Sequence, residues 1–147
     1  MRFVALDIGE VRVGVAVCDQ LEIAAFPVCT VRRVGNLKRD VAALAAVIAE
    51  QEADAVVCGL PLSLDGEIGP QAQRVQGFMK AMERATGLKT VYWDESLTSV
   101  DAHDVLIAQG VSRARRRELV DQMAAVLILD GYLEHRRMTA APRDAIV

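Results

Sequence analysis

The sequence predicts an α/β domain: a five-stranded mixed sheet in the spatial order 3-2-1-4-5, with helices on both faces. Three observations carry this. The chain opens with three apolar runs on connections too short for crossover helices, the pattern of an antiparallel meander. Two later apolar runs, at 55–58 and 90–93, each follow a segment of helical periodicity, the pattern of β-α units. A last helix with an apolar face closes the chain. In such sheets, sites form beyond the carboxyl ends of the strands, near a reversal in strand order.

Taken in order, Arg2 to Leu6 is a buried strand that ends at Asp7. A turn around Gly9 leads to a second strand over 13–18, and Asp19-Gln20 marks the next turn. The third strand spans Ile23 to Val31. Pro27 inside it favours an edge position, because proline donates no ladder hydrogen bond. Asn36 is a candidate N-cap for a helix near 37–52, whose core face is Leu37, Val41, Leu44, Val47 and Ile48. Ala55-Val56-Val57-Cys58 is apolar throughout and suits a strand covered on both sides. It runs out into Gly59-Leu60-Pro61. Pro70 opens the second helix at the position proline tolerates best; Val75, Phe78, Met79 and Met82 give it a core face, and Gly87 ends it. After the strand at 90–93, Thr98 with Asp101 forms a capping-box pattern for a helix to about Gln109. Ser112 caps the last helix, which runs to about Arg136. Residues 1–137 therefore form one domain, and 138–147, with Pro142, are expected to be a mobile tail.

The 147 residues are 52% hydrophobic and 25% charged, with a net charge of -3. The chain is not a polycation, so nucleic-acid binding requires a local basic patch. Cys18, Cys29 and Cys58 are widely spaced and form no CxxC pair, which indicates neither a zinc site nor a disulfide framework. Reduced thiols fit a cytoplasmic protein. No signal-peptide pattern and no membrane-spanning apolar stretch is present.

Asp7, Glu95 and Asp121 are the candidate catalytic acids and metal ligands. Asp7 follows the central strand and precedes a glycine; its ordinary alternative is a turn-capping aspartate. Glu95 leaves the fifth strand on the same rim, where the alternative is a solvated acid. Its neighbour Asp94 points the other way if the strand continues, so only one of the two faces the site. Asp121 shares a helix face with Ala124, Ala125 and Ile128, which must pack on the sheet. A carboxylate there is costly to desolvate unless paired or metal-bound. The alternative is an i,i+4 pair with Arg117. Three carboxylates without a histidine or cysteine cluster suit hard divalent cations, Mg²⁺ or Mn²⁺, and a two-ion site of that kind hydrolyses phosphodiesters.

Candidate substrate contacts are Arg12 in the first turn, Arg74 on the second helix, and Arg113, Arg115, Arg116 and Arg117 at the start of the last helix. A solvated helix start is the commoner role for such a run. Positive charge there nevertheless opposes the helix dipole, and a nucleic-acid backbone lying across it would relieve the conflict.

Together these residues resemble the YqgF/RuvX family of bacterial proteins. The matching pieces are Leu6-Asp7-Ile8-Gly9 with Arg12-Val13-Gly14-Val15-Ala16, then Gly59-Leu60-Pro61-Leu62 with Asp65-Gly66. Asp94-Glu95-Ser96-Leu97-Thr98-Ser99 and the stretch from Asp121 to Leu129 complete the set. The resemblance implies an RNase H-like fold and Asp7, Glu95 and Asp121 as the catalytic set. It also implies a nuclease acting at the 5′ end of pre-16S ribosomal RNA, with Holliday-junction resolution as the alternative. Cutting a junction would need paired sites, and so a homodimer. One departure is Ser96, where the family has arginine; Arg12, Arg74 or Arg117 would then have to steady the phosphate.

Two readings of other classes compete. An actin-like phosphotransferase also ends its first strand in Asp-x-Gly, but it clasps nucleotide between two such domains and this sequence holds one. A catalytically silent binding module would keep the fold without a use for three acids.

Overall fold

The computed structural model describes residues 1–63, 65–94, 110 and 112–146. The expected helix over 98–109 and the candidate ligand Glu95 lie outside the described residues. The described elements are β1 (Phe3–Ile8), β2 (Arg12–Cys18), β3 (Ala25–Arg32), α1 (Leu37–Glu50), β4 (Ala55–Leu60), α2 (Pro70–Thr86), β5 (Thr90–Asp94) and α3 (Arg113–Ile146).

The strands form one sheet in the order β3-β2-β1-β4-β5. β1 pairs antiparallel with β2 and parallel with β4, and β4 runs parallel to β5. β1 is therefore central, and its C-terminal end lies where the strand order reverses. Pro27 sits on the edge strand β3, opposite Ala16, where the register shifts by a bulge.

Strand alternation sorts the side chains into two cores. Val4, Leu6 and Ile8 of β1 and Val56, Cys58 and Leu60 of β4 pack under α1 and α2, against Leu44, Ile48, Phe78 and Met79. Phe3, Ala5, Ala16, Cys18, Ala55 and Val57 face the other way and pack under α3, against Ala125, Ile128, Leu129 and Leu133. The α3 layer is rich in alanine on both surfaces, which lets the helix axis lie close to the sheet. Asp7 belongs to this α3 face by alternation from Phe3 and Ala5.

Local signals hold at most ends. Asn36 caps α1, its side chain accepting from the Arg39 N–H at 3.0 Å. Ser112 accepts from the Arg115 N–H at 3.4 Å and so caps α3. Gly87 closes α2 with a φ of 71°, a left-handed conformation that favours glycine.

Several boundaries differ from expectation: β1 runs through Asp7 to Ile8 and β4 through Gly59 to Leu60, each two residues past the expected end, and two further shifts have a local cause. β3 begins at Ala25 rather than Ile23, because the Asp19 carboxylate captures the N–H groups of Leu21, Ile23 and Ala24 and keeps that stretch in the turn. α3 runs past Arg136 to Ile146. No glycine follows Arg136 to stop it, and the Arg136 and Arg137 side chains reach Glu22 in the β2–β3 turn.

Candidate active site

The site is built on one row of residues across the α3 face. In the β1–β2 ladder Asp7 lies opposite Gly14, and in the β2–β3 ladder Gly14 lies opposite Thr30. The row at the carboxyl end of β1 thus reads Thr30, Gly14, Asp7. α3 crosses it at Asp121 and Gln122.

Gly14 sets the approach. A Cβ built on it would stand 1.8 Å from the Asp121 carbonyl oxygen, a distance no real side chain tolerates. Only glycine lets the α3 backbone rest on β2 at this point, and that contact brings Asp121 beside Asp7's row. Gln122 fixes the register from the other side, its Nε2 donating to the Thr30 hydroxyl at 3.1 Å. A glycine inside an apolar strand is the sequence sign of close backbone approach. In the sequence Gly14 stood out only as part of a motif.

Arg12 completes the cluster. It is the first residue of β2 and shares the α3 face with Gly14. Its Nε donates to Asp121 Oδ2 at 2.8 Å, with the two side chains 33% and 18% exposed. Asp121 is thus ion-paired, as its ordinary alternative supposed, but with Arg12 of β2 and not with Arg117 one helical turn away, which is exposed. The turn that carries Arg12 is itself tight, the Gly9 N–H donating to the Arg12 carbonyl at 2.9 Å.

The other candidates fall in three places. Arg113, Arg115 and Arg117 are exposed on the first turns of α3, with Arg116 partly buried among them; they precede Asp121 along the same helix. Arg74 lies on α2, on the opposite side of the sheet from Asp121, 3.8 Å from Glu10. Asp94 is exposed at the end of β5, and its register with Leu60 puts it on the α1–α2 face. Trp93 faces α3 and packs against Gly131 and Tyr132, so it serves the core rather than the rim. His135 lies on the surface with its ring 5.5 Å from that of Trp93 and tilted to it, far along α3 from Asp121.

Among the described residues, no three His, Cys, Asp or Glu side chains form a metal-binding group. The described part of the site supplies two carboxylates and one guanidinium. Asp7 and Asp121 both neighbour Gly14, one across the ladder and one through its helix backbone, and two carboxylates brought close together repel each other unless a cation lies between or beside them. Arg12 meets that need on one side, and Asp7 is partly exposed at the strand end, with its oxygens on the same face. The donor set is all oxygen, which fits a hard divalent cation and not zinc. The cysteines add no chemistry here: burial pushes the Cys18 and Cys29 thiols up, despite a hydrogen bond from the Phe3 N–H to Cys18, so neither is an activated nucleophile.

No helix among the described residues is long and apolar enough to cross a membrane. Among solved structures the fold is similar to that of Thermus thermophilus RuvC, with a TM-score of 0.55 and 17% identity over 95% of this chain and 98% of that one. The same protein in complex with a Holliday junction substrate superposes with a TM-score of 0.54. Sequence relatives are nearer. A Myxococcus xanthus protein described as "Putative pre-16S rRNA nuclease" is 46% identical over 137 residues, covering 93% of this chain and 90% of its own length. A Clostridioides difficile protein of the same description is 39% identical over 135 residues, covering 92% and 95%. The model of the RuvX family, described as Holliday junction resolvase, matches residues 1–135. By that match and these relatives, the chain belongs to the RuvX family.

Proposed function

We propose that the protein is a divalent-metal-dependent nuclease that hydrolyses phosphodiester bonds during 5′-end maturation of pre-16S rRNA in the cytoplasm. The observation that carries this reading is the juxtaposition of Asp7 and Asp121 across Gly14, at the end of the central strand, in a chain of the RuvX family. The names of the relatives supply the RNA substrate.

In this reading Asp7, Glu95 and Asp121 hold Mg²⁺ or Mn²⁺, most simply as two ions. The cations would supply an acidified water and charge neutralisation at the phosphate. The protein's own groups do the rest. Asp7 and Asp121, each fixed to backbone beside Gly14, would hold the cations with little rearrangement. Arg12, already at Asp121, is within a side chain's reach of the same space and is suited to a non-bridging phosphate oxygen. The exposed arginines at the start of α3 attract the backbone of the nucleic acid toward the rim.

The family's description favours a second reading, cleavage of four-way DNA junctions; paired cuts would then call for a homodimer. One experiment separates the two. A precursor 16S RNA fragment, a single-stranded RNA and a four-way DNA junction are each incubated with the protein and Mg²⁺ or Mn²⁺. The expected result is cleavage of the RNA precursor, lost in chelator and lost in Asp7→Asn. Preferential junction cleavage by a dimer would move the assignment to the second reading. Equal RNA cleavage by wild type and Asp7→Asn would overturn the site.

A further inference from the structure

A second concavity lies at the end of β1, on the α1–α2 side of the sheet. It has a volume of about 320 Å³, and its lining includes Gly9, Glu10, Arg33, Gln71, Arg74 and Phe78. That is the lower end of the usual range for small-molecule pockets. It opens on the turn that directly follows Asp7, two strand residues on, or about 7 Å along the chain. The acids on the α3 face do not use it.

Its two arginines are held in different ways. Arg33 is pinned. One terminal nitrogen donates to the Gly9 carbonyl at 2.8 Å, its Nε faces Asp40 at 3.5 Å, and its guanidinium lies 4.9 Å over the Phe78 ring. Asp40 is only 3% exposed and also accepts from the Val34 N–H at 2.8 Å, so the anchor is rigid. The result is a planar cation backed by an aromatic ring and fixed at one wall. Arg74 is loose by contrast. It is 71% exposed and stands 3.8 Å from Glu10, itself 83% exposed, an ion pair weak enough to exchange. The first two turns of α2 carry Gln71 and Arg74 to the mouth, near the positive end of the helix dipole.

A fixed guanidinium plane over an apolar wall suits a stacked base, and a loosely paired arginine at the mouth suits a phosphate. We propose that this pocket is a subsite for one nucleotide of single-stranded RNA flanking the cleaved bond. The base rests on Arg33 and the phosphate takes Arg74 from Glu10. The strand would then turn over the β1–β2 turn, with its cleaved phosphate on the α3 face and the next nucleotide on the other. This rests on the nuclease reading above.

The test uses a 5′-fluorescein hexameric oligoribonucleotide and fluorescence anisotropy, in chelator so that binding is read without cleavage. Arg74→Gln should weaken binding about fivefold and Gln71→Trp, which fills the mouth, about tenfold, the latter equal to roughly 1.4 kcal/mol. Glu10→Gln, which frees Arg74, should tighten it. Lys80→Gln, exposed further along α2, should bind as wild type. Gln71 and Arg74 are exposed, so these variants fold; thermal unfolding checks it. Wild-type affinity in both Arg74→Gln and Gln71→Trp overturns the subsite while metal-dependent cleavage, tested separately, leaves the nuclease reading standing. A wild-type protein that neither binds the oligoribonucleotide nor cleaves RNA overturns both.

Discussion

Arg12 and Asp121 are separated by 109 residues, yet Arg12 Nε lies 2.8 Å from Asp121 Oδ2. The pair fastens the first turn to the last helix beside Gly14, the residue opposite Asp7 in the sheet. If Asp121 is a metal ligand as proposed, a guanidinium and a divalent cation compete for the same carboxylate. Arg12→Gln removes the competitor. Mn²⁺ binding, measured by titration calorimetry, should tighten several-fold, while RNA cleavage falls because the phosphate loses its contact. Weaker Mn²⁺ binding in Arg12→Gln would mean that Asp121 serves the arginine and not a metal. The stability cost should be small, about 1 kcal/mol or less, because the pair is partly solvated.

Asp121→Asn tests the other half of the pair. Arg12 then loses its anion, and the carboxylate cluster loses one charge. Cleavage should drop by at least about a hundredfold, on the scale of losing a metal ligand's surroundings. Folding should persist, since the amide still accepts from Arg12. Circular dichroism and thermal unfolding read the fold, and a time course of RNA cleavage reads the rest. Near wild-type cleavage by a folded Asp121→Asn would remove it from the ligand set.

Gly14 and Gly131 both lie where α3 meets the sheet, but they should not respond alike. An alanine Cβ at Gly14 would meet backbone at 1.8 Å, whereas at Gly131 it would meet the Trp93 indole edge at 3.0 Å. Backbone cannot move aside without shifting the whole helix, while a side chain can. Gly14→Ala should cost about 3 kcal/mol or more and lower the melting temperature sharply, and Gly131→Ala about 1 kcal/mol. Because Gly14→Ala also displaces Asp121 from Asp7's row, its surviving folded fraction should have weakened Mn²⁺ affinity. Equal melting temperatures for the two variants would contradict the close approach at Gly14.

The difference between what the sequence foretells and what it hides follows from range. Strand order and the position of Asp7 were legible, because apolar runs and their connection lengths report topology directly. The packing of Asp121's helix face was legible from Ala124, Ala125 and Ile128. The partner of Asp121 was not. Helical spacing reports neighbours three and four residues away and so offered Arg117, whereas the partner comes from a strand at the other end of the chain. Arg33 was hidden for the same reason: its bonds to Gly9 and Asp40 cross from β3's end to a turn and a helix that only the fold brings together. The function of Glu95 and the effect of Ser96 stay at the level of the family resemblance.

Glu22 gives a pH signature for the other end of α3. Its carboxylate takes Arg136 Nε at 2.6 Å and the N-terminal ammonium at 3.1 Å. Partial burial pushes its pKa up, but the hydrogen bonds from Arg136 and the N-terminus prevail, and it is held below the ordinary glutamate range. A depressed folded-state pKa contributes stability that is present above the unfolded value and lost as pH falls through the folded one. Glu22→Gln should therefore lower the melting temperature at pH 7, and the difference from wild type should vanish in acid, below the carboxylate range. A gap that is unchanged between pH 7 and pH 3 would mean that the side chain acts by packing and not by charge.

The exposed arginines at the start of α3 can be weighed through salt. Arg115 and Arg117 are exposed and precede Asp121 on the same helix, on the approach to the rim. Each arginine that neutralises a phosphate releases a condensed counterion, so single-stranded RNA binding loses about 0.7 of logarithmic salt slope per contact removed. Replacing both with glutamine should flatten the slope by about 1.4, measured by anisotropy across a salt series in chelator. Affinity should fall for all sequences alike, because phosphate contacts carry no base information. The melting temperature should hold or rise slightly, since like charges at a helix N-terminus oppose its dipole. A salt slope identical to wild type would take this end of α3 off the substrate's path and leave Arg12 as the nearest cation to the scissile phosphate.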